Sequence, residues 1–135
     1  MRNKRWLFLL LAAFLLIGGC GISNVEKGER EAVEYTVLRP DAIPPEVAEV
    51  IQEQGDAAFQ MTYISSGYLY ILRGYGRQKS GGYSIQVEEV TSTEEAIHVR
   101  TCLMGPETEE EQKGEGSTPH LVIKTDDLKL PVIFE

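Results

Sequence analysis

From Ala58 onward the apolar side chains of this chain recur mostly at every second position, in short runs separated by turn residues. That period belongs to strands, whose successive side chains point to opposite faces, and it excludes a helical fold for most of the chain. Phe59–Ile64 and Tyr68–Gly74 are rich in β-branched and aromatic residues, and Ser65-Ser66-Gly67 between them predicts a hairpin. Across Tyr83–Val90, Tyr83, Ile85 and Val87 fall on one side and Ser84, Gln86 and Glu88 on the other. Ile97–Leu103 repeats the pattern, with Ile97, Val99, Thr101 and Leu103 opposite His98, Arg100 and Cys102, after a turn at Ser92–Glu95. His120–Lys124 and Pro131–Phe134 add two short strands, and Glu34–Arg39 an earlier one stopped by Pro40. One segment departs from period 2. Pro44-Pro45 opens a helix of about ten residues with Val47, Val50 and Ile51 on one face and Gly55 at its end. The fold expected is mainly β: a small antiparallel β-sandwich or open barrel, with one short N-terminal helix covering an end or edge.

The N-terminus has a different character. Arg2, Lys4 and Arg5 precede an uncharged stretch from Trp6 to Ile17, which ends in Gly18-Gly19-Cys20. Basic, apolar and small-residue parts in this order read as a secretory signal ending in a lipobox. Residues 1–19 are then a cleaved lipoprotein signal peptide. Cys20 becomes the first mature residue, lipidated on its thiol, and membrane anchorage follows from two or three acyl chains. The strongly apolar part is shorter than the roughly 20 residues a spanning helix needs. The expected location is the cell membrane, lipid-anchored and facing outside the cytoplasm.

Residues 20–135 suffice for one domain with a core of its own. The chain carries 13 Lys and Arg against 21 Asp and Glu, and loss of Arg2, Lys4 and Arg5 with the leader makes the balance about −11. That charge excludes nucleic acid as a partner and further attraction to anionic lipid. Cys102 is the only other cysteine, so with Cys20 lipidated no internal disulfide can form and packing must supply the stability. Residues 20–32 are polar and aperiodic and read as a flexible spacer, with the β domain over 33–135. Gly105–Ser117 (GPETEEEQKGEGS) has almost nothing to bury and reads as a long exposed loop.

The unusual connection is Gly74–Ser84 (GYGRQKSGGYS), with four glycines and two of the few cations, Arg77 and Lys79. It lacks the glycine-to-Lys-Ser order and following helix of a phosphate loop. Gly81-Gly82 permits a sharp reversal or a close backbone approach. Tyr75, Arg77, Lys79, Ser80, Gly81 and Gly82 are the candidate partner-binding residues. Tyr83 belongs to the strand pattern and is a structural residue.

Tyr68–Val90, centred on Ser80-Gly81-Gly82-Tyr83-Ser84-Ile85, resembles the PrcB C-terminal domain family. Members typically show a hydrophobic strand, a glycine, a short polar loop, Thr/Ser-Gly-Gly-Tyr and an alternating strand. Thr118–Lys124 and Leu130–Glu135 are similar to the family's closing strands. Ser80 stands where Thr is commoner. The resemblance spans roughly Phe59 to Glu135 and implies a non-catalytic lipoprotein subunit that supports the assembly or stability of an extracellular protease.

The residues themselves point to binding and not catalysis. His98 and His120 are the only histidines, and His98 and Cys102 lie roughly 13 Å apart along a strand, too far for a dyad. No metal-ligand spacing, calcium loop, nucleophile elbow or cofactor motif is present. The expectation is therefore a non-enzymatic module without cofactor or metal, docking a protease or other envelope protein through the Gly74–Ser84 loop. Two alternatives are a chagasin-like protease inhibitor, whose Thr-Gly-Tyr loop Gly81-Gly82-Tyr83 loosely resembles, and an envelope lipoprotein whose loop is purely structural.

Overall fold

A computed structural model of the chain describes residues 29–135; the leader, Cys20 and most of the expected spacer lie outside them. The unit Glu31–Glu135 is a sandwich of two four-stranded sheets. Its strands are β1 (Glu31–Ala32), β2 (Thr36–Val37), β3 (Ala58–Ser65), β4 (Tyr68–Tyr75), β5 (Ser84–Ser92), β6 (Ile97–Met104), β7 (His120–Asp126) and β8 (Val132–Phe134). One sheet runs β1-β5-β6-β8 and the other β2-β7-β4-β3. Helix α1 spans Pro45–Glu53, and a single-turn helix α2 spans Glu109–Gln112. No described helix is long and apolar enough to cross a membrane.

The β3–β4 hairpin is the most regular part. Its turn residues Ser66 and Gly67 both have positive φ (55° and 83°), the combination a two-residue primed turn demands. The pairing from Ser65↔Tyr68 to Ala58↔Tyr75 then runs without a break. β7 pairs the other edge of β4 over seven residues, so β4 and β7 form the centre of their sheet.

Two cores flank that centre. Between the sheets lie Leu69, Ile71, Val90, Ile97, Val99, Leu121 and Ile123. On the opposite face of β4 and β7, Tyr70, Leu72 and Val122 pack with Phe59 and with Val47 of α1. The helix thus covers the outer face of one sheet, where an end or edge position was expected. The continuous run Leu69-Tyr70-Ile71-Leu72, buried at every residue, carries that arrangement: a strand apolar on both sides needs a layer on each. α1 begins at a proline and ends before Gly55, whose φ of 61° suits a glycine beyond a helix C-terminus.

Three details depart from the expected layout. β8 pairs with β6 in parallel, through Ile97↔Val132, His98↔Ile133 and Val99↔Phe134, so the sandwich is not wholly antiparallel. The chain reaches β8 from β7 in the other sheet, and that crossover sets the strand direction in place of a hairpin turn. The expected strand over Glu34–Arg39 shrinks to Thr36–Val37, because Val33–Tyr35 carries the chain from β1 in one sheet to β2 in the other. β1 itself lies within the stretch expected as spacer. It is held by pairing with Thr91 and Ser92 and by Val33, whose N–H donates to Val90 O at 3.0 Å and whose side chain packs on the core.

β5 carries a bulge, since Val87 pairs Thr101 and Glu89 pairs Arg100, leaving Glu88 extra. The bulge lets Val87 and Val90, three residues apart, both turn to the core, and it sets Glu88 and Glu89 both toward Arg100.

Candidate functional site

The Gly74–Ser84 connection is half of a two-loop structure, and the other half is the acidic segment between β6 and β7. Gln78 and Ser117 exchange backbone hydrogen bonds at 2.7 and 3.1 Å, and the Ser117 hydroxyl donates to Ser80 O at 2.7 Å. Gly82 has a φ of 81°, and a Cβ there would sit 2.7 Å from Glu111 Cβ and 2.8 Å from Pro106 Cβ. At Gly116 a Cβ would lie 2.7 Å from Arg77 Nη2 and 2.8 Å from Gln78 O. The glycines therefore serve close approach: each loop bares its backbone where the other crosses it. Arg77 N–H donates to Asp56 O, and Gln78 Nε2 donates to Tyr75 O, fixing the connection from below.

The acidic segment is exposed, as its composition predicts, but it is not structureless. Thr108 Oγ1 accepts from Glu111 N, and Glu111 Oε1 accepts from Thr108 N, a reciprocal capping box that folds one helical turn. The signature Thr108-x-x-Glu111 was present in the sequence, and it is what orders the middle of this loop.

The candidate binding residues separate into two groups. Arg77 and Lys79 stand exposed on the loop. Ser80 is buried, with its hydroxyl donating to Gly81 O, and Gly81 and Gly82 seat the acidic segment. Tyr75 is half-buried: its hydroxyl shares a 2.6 Å hydrogen bond with Thr101 Oγ1, and the Arg73 guanidinium lies over its ring at 3.9 Å. Tyr83 is half-buried near Gly105 and lines a groove of about 300 Å³ with Leu38, Ile43, Ile85, Pro119 and His120. The loop pair thus exposes Arg77 and Lys79 on a braced base, together with Lys113 and the carboxylates of Glu107, Glu109, Glu110, Glu111 and Glu115 on the acidic segment.

A second polar cluster lies on the outer face of the β5–β6 sheet. Arg100 donates to Glu88 Oε1 at 3.3 Å and Glu89 Oε1 at 2.7 Å, and His98 Nδ1 meets Glu135 Oε2 at 2.9 Å. The hydrogen bond to Glu89 raises the Arg100 pKa above its ordinary value against the opposing effect of burial. Cys102 continues the row, its Sγ 3.8 Å from Met104 Sδ. Among the described residues no group of three His, Cys, Asp or Glu side chains converges on a point that would hold a metal.

These elements, from the start of β4 through the glycine-rich connection to the end of β7, are the segment that one family model matches. Residues 69–126 match the PrcB C-terminal family. The match begins at Leu69 in the first core and takes in both loops of the seat. Comparison with curated proteins and with solved structures gave no match.

Proposed function

We propose that this chain is a lipid-anchored extracytoplasmic protein-binding module, an accessory or stabilising subunit for a secreted or surface protease. The PrcB C-terminal match supports the class of partner. The lipobox ending in Cys20 supports anchorage outside the cytoplasm. The observation that carries a binding role is the loop seat. Arg77 and Lys79 stand exposed on a backbone cross-braced to Ser117 and Asp56, so they meet a partner without first ordering a loop. Arg77 and Lys79 supply local cationic contacts for individual carboxylates of a partner, in a chain whose overall charge is −8. The module acts by docking and uses neither cofactor nor metal.

The test is a crosslinking pulldown of the full chain from its own membranes, with Arg77→Glu, Lys79→Glu alongside. A protease recovered with the wild-type loop and lost with the double variant supports the proposal. Retained protease activity in that complex marks an accessory subunit, and stoichiometric inhibition a chagasin-like inhibitor. Recovery unchanged by the double variant removes the loop from the interface.

A further inference from the structure

The four sheet edges are protected unequally. β1 and β2 are two residues long and β8 three, which leaves little for another strand to pair with. β3 is also an edge, yet it runs eight residues (AFQMTYIS) with no charge, proline or glycine, and its pairing to β4 has no bulge. Shortness, charge, proline and bulge, four devices that blunt an edge, are all missing from it.

The hairpin defines which backbone groups are on offer. In a two-residue hairpin the pair flanking the turn, Ser65 and Tyr68, exchanges ladder bonds. The bonded positions then alternate back through Tyr63, Met61 and Phe59. The N–H and C=O of Gln60, Thr62 and Ile64 point away from β4. Those three residues are exposed, and Ile64, at 59%, is the most exposed large apolar side chain of the described core strands.

The surroundings choose the occupant. Glu46 of α1 accepts from Ser65 Oγ at 3.3 Å, placing a carboxylate at one end of β3. Glu53 and Asp56, both exposed, precede the other end. Arg73, the cation that reaches β3, is turned inward, donating to Phe59 O and Gly74 O. A second copy of this chain would bring acid against acid.

The geometry points to β3 as a strand-addition site for an extended segment of a partner polypeptide, uncharged where it pairs and basic at its ends. The ladder bonds supply affinity, and the acidic ends set register and exclude self-pairing. This surface is separate from the Arg77 and Lys79 loop, and it stands whether or not that loop binds a protease.

The experiment uses the full chain in detergent and a synthetic decapeptide of alternating valine and threonine with two lysines at each end. Titration is followed by fluorescence anisotropy, with sedimentation velocity alongside. Saturable binding is expected, weakened at least tenfold in a version with glutamates at the ends. Thr62→Pro removes one outward N–H without touching the β3–β4 ladder, and it weakens binding by about tenfold. Thr62→Lys with Ile64→Lys, which keeps every backbone donor, does the same if the proline variant does not fold. Absence of binding, or binding unchanged in both variants, overturns the proposal. A wild-type dimer that the lysine pair dissociates also overturns it, by making a second copy the occupant. Arg77→Glu with Lys79→Glu leaves peptide binding unchanged, so failure here and failure of the protease-docking reading are told apart.

Discussion

Strands β4 and β5 are consecutive in the chain and joined by the glycine-rich loop, yet they are buried in different ways. β4 is closed in on both faces, by the facing sheet on one side and by α1 on the other. β5 is covered on one face, and its other face carries Glu88 and Glu89 out to Arg100. The difference shows in the side chains each strand uses. The stretch Tyr68–Leu72 is apolar throughout, whereas β5 alternates until its bulge. Between two layers each residue of Leu69–Leu72 lies in a core, so a single truncation there opens a cavity whichever way it points.

The largest effect tests that contrast directly. Ile71→Ala opens the core between the sheets and Leu72→Ala the core under α1, at positions with no solvent exposure. Each should cost about 2–5 kcal/mol by chemical denaturation. Val87→Ala on half-buried β5 should cost distinctly less. Equal losses at Leu72 and Val87 would mean that the helix layer contributes little to the stability of the sheet beneath it.

The next effect moves from packing by bulk to packing by its absence. Gly82→Ala meets both a positive φ and the Pro106 and Glu111 side chains at under 3 Å, and should destabilise by about 1–3 kcal/mol. At adjacent Gly81 the nearest atom to a new Cβ is 3.9 Å away and φ is not positive, so Gly81→Ala should fall within about 0.5 kcal/mol of wild type. Thermal melts of the pair separate a glycine required by its neighbours from one that is not. Thr108→Ala follows: it removes the capping-box acceptor of α2 and should cost about 1 kcal/mol locally. Faster hydrogen exchange confined to 108–114, with little change in the global melt, is the expected readout.

The sequence made the sheets legible and left the layers and loop contacts largely unread. Alternation at Tyr83, Ile85 and Val87 and at Ile97 and Val99 identified strands and faces, because period 2 is a local property. It also held a clue to the bulge, since Val90 falls off the alternation that Val87 sets. The place of α1 depended on a non-local fact, which the unbroken apolar run of β4 signals only when read as burial on both faces. For the candidate site, the glycine density was visible but its purpose was not. Gly82 makes room for Pro106 and Glu111, and Gly116 for Arg77 and Gln78, so each glycine answers to residues 24 to 39 positions away, and no spacing rule reports such contacts. The exposure of Arg77 and Lys79 and the burial of Ser80 follow from that meshing.

The smallest effect concerns the crossover that leaves the doubly buried sheet for the other one. Asp127 begins it. Its Oδ1 accepts from Lys129 N at 2.9 Å, and its Oδ2 lies 3.3 Å from Lys129 Nζ. The backbone hydrogen bond, with the lysine ammonium adding to it and desolvation opposing, holds the carboxyl below its ordinary pKa. A depressed carboxylate pKa contributes stability above the unfolded value near 4, and that contribution is lost as pH falls through the folded value. Asp127→Asn should therefore melt below wild type at neutral pH, with the gap closing under acid. A gap independent of pH from 7 down to 2 would show that Asp127 acts through the shape of the turn alone. Lys129 has a φ of 62°, so Lys129→Gly relieves backbone strain while keeping the N–H that Asp127 accepts. With that substitution the pH dependence should persist in reduced form, because the backbone donor, the larger cause of the shift, remains and the ammonium does not.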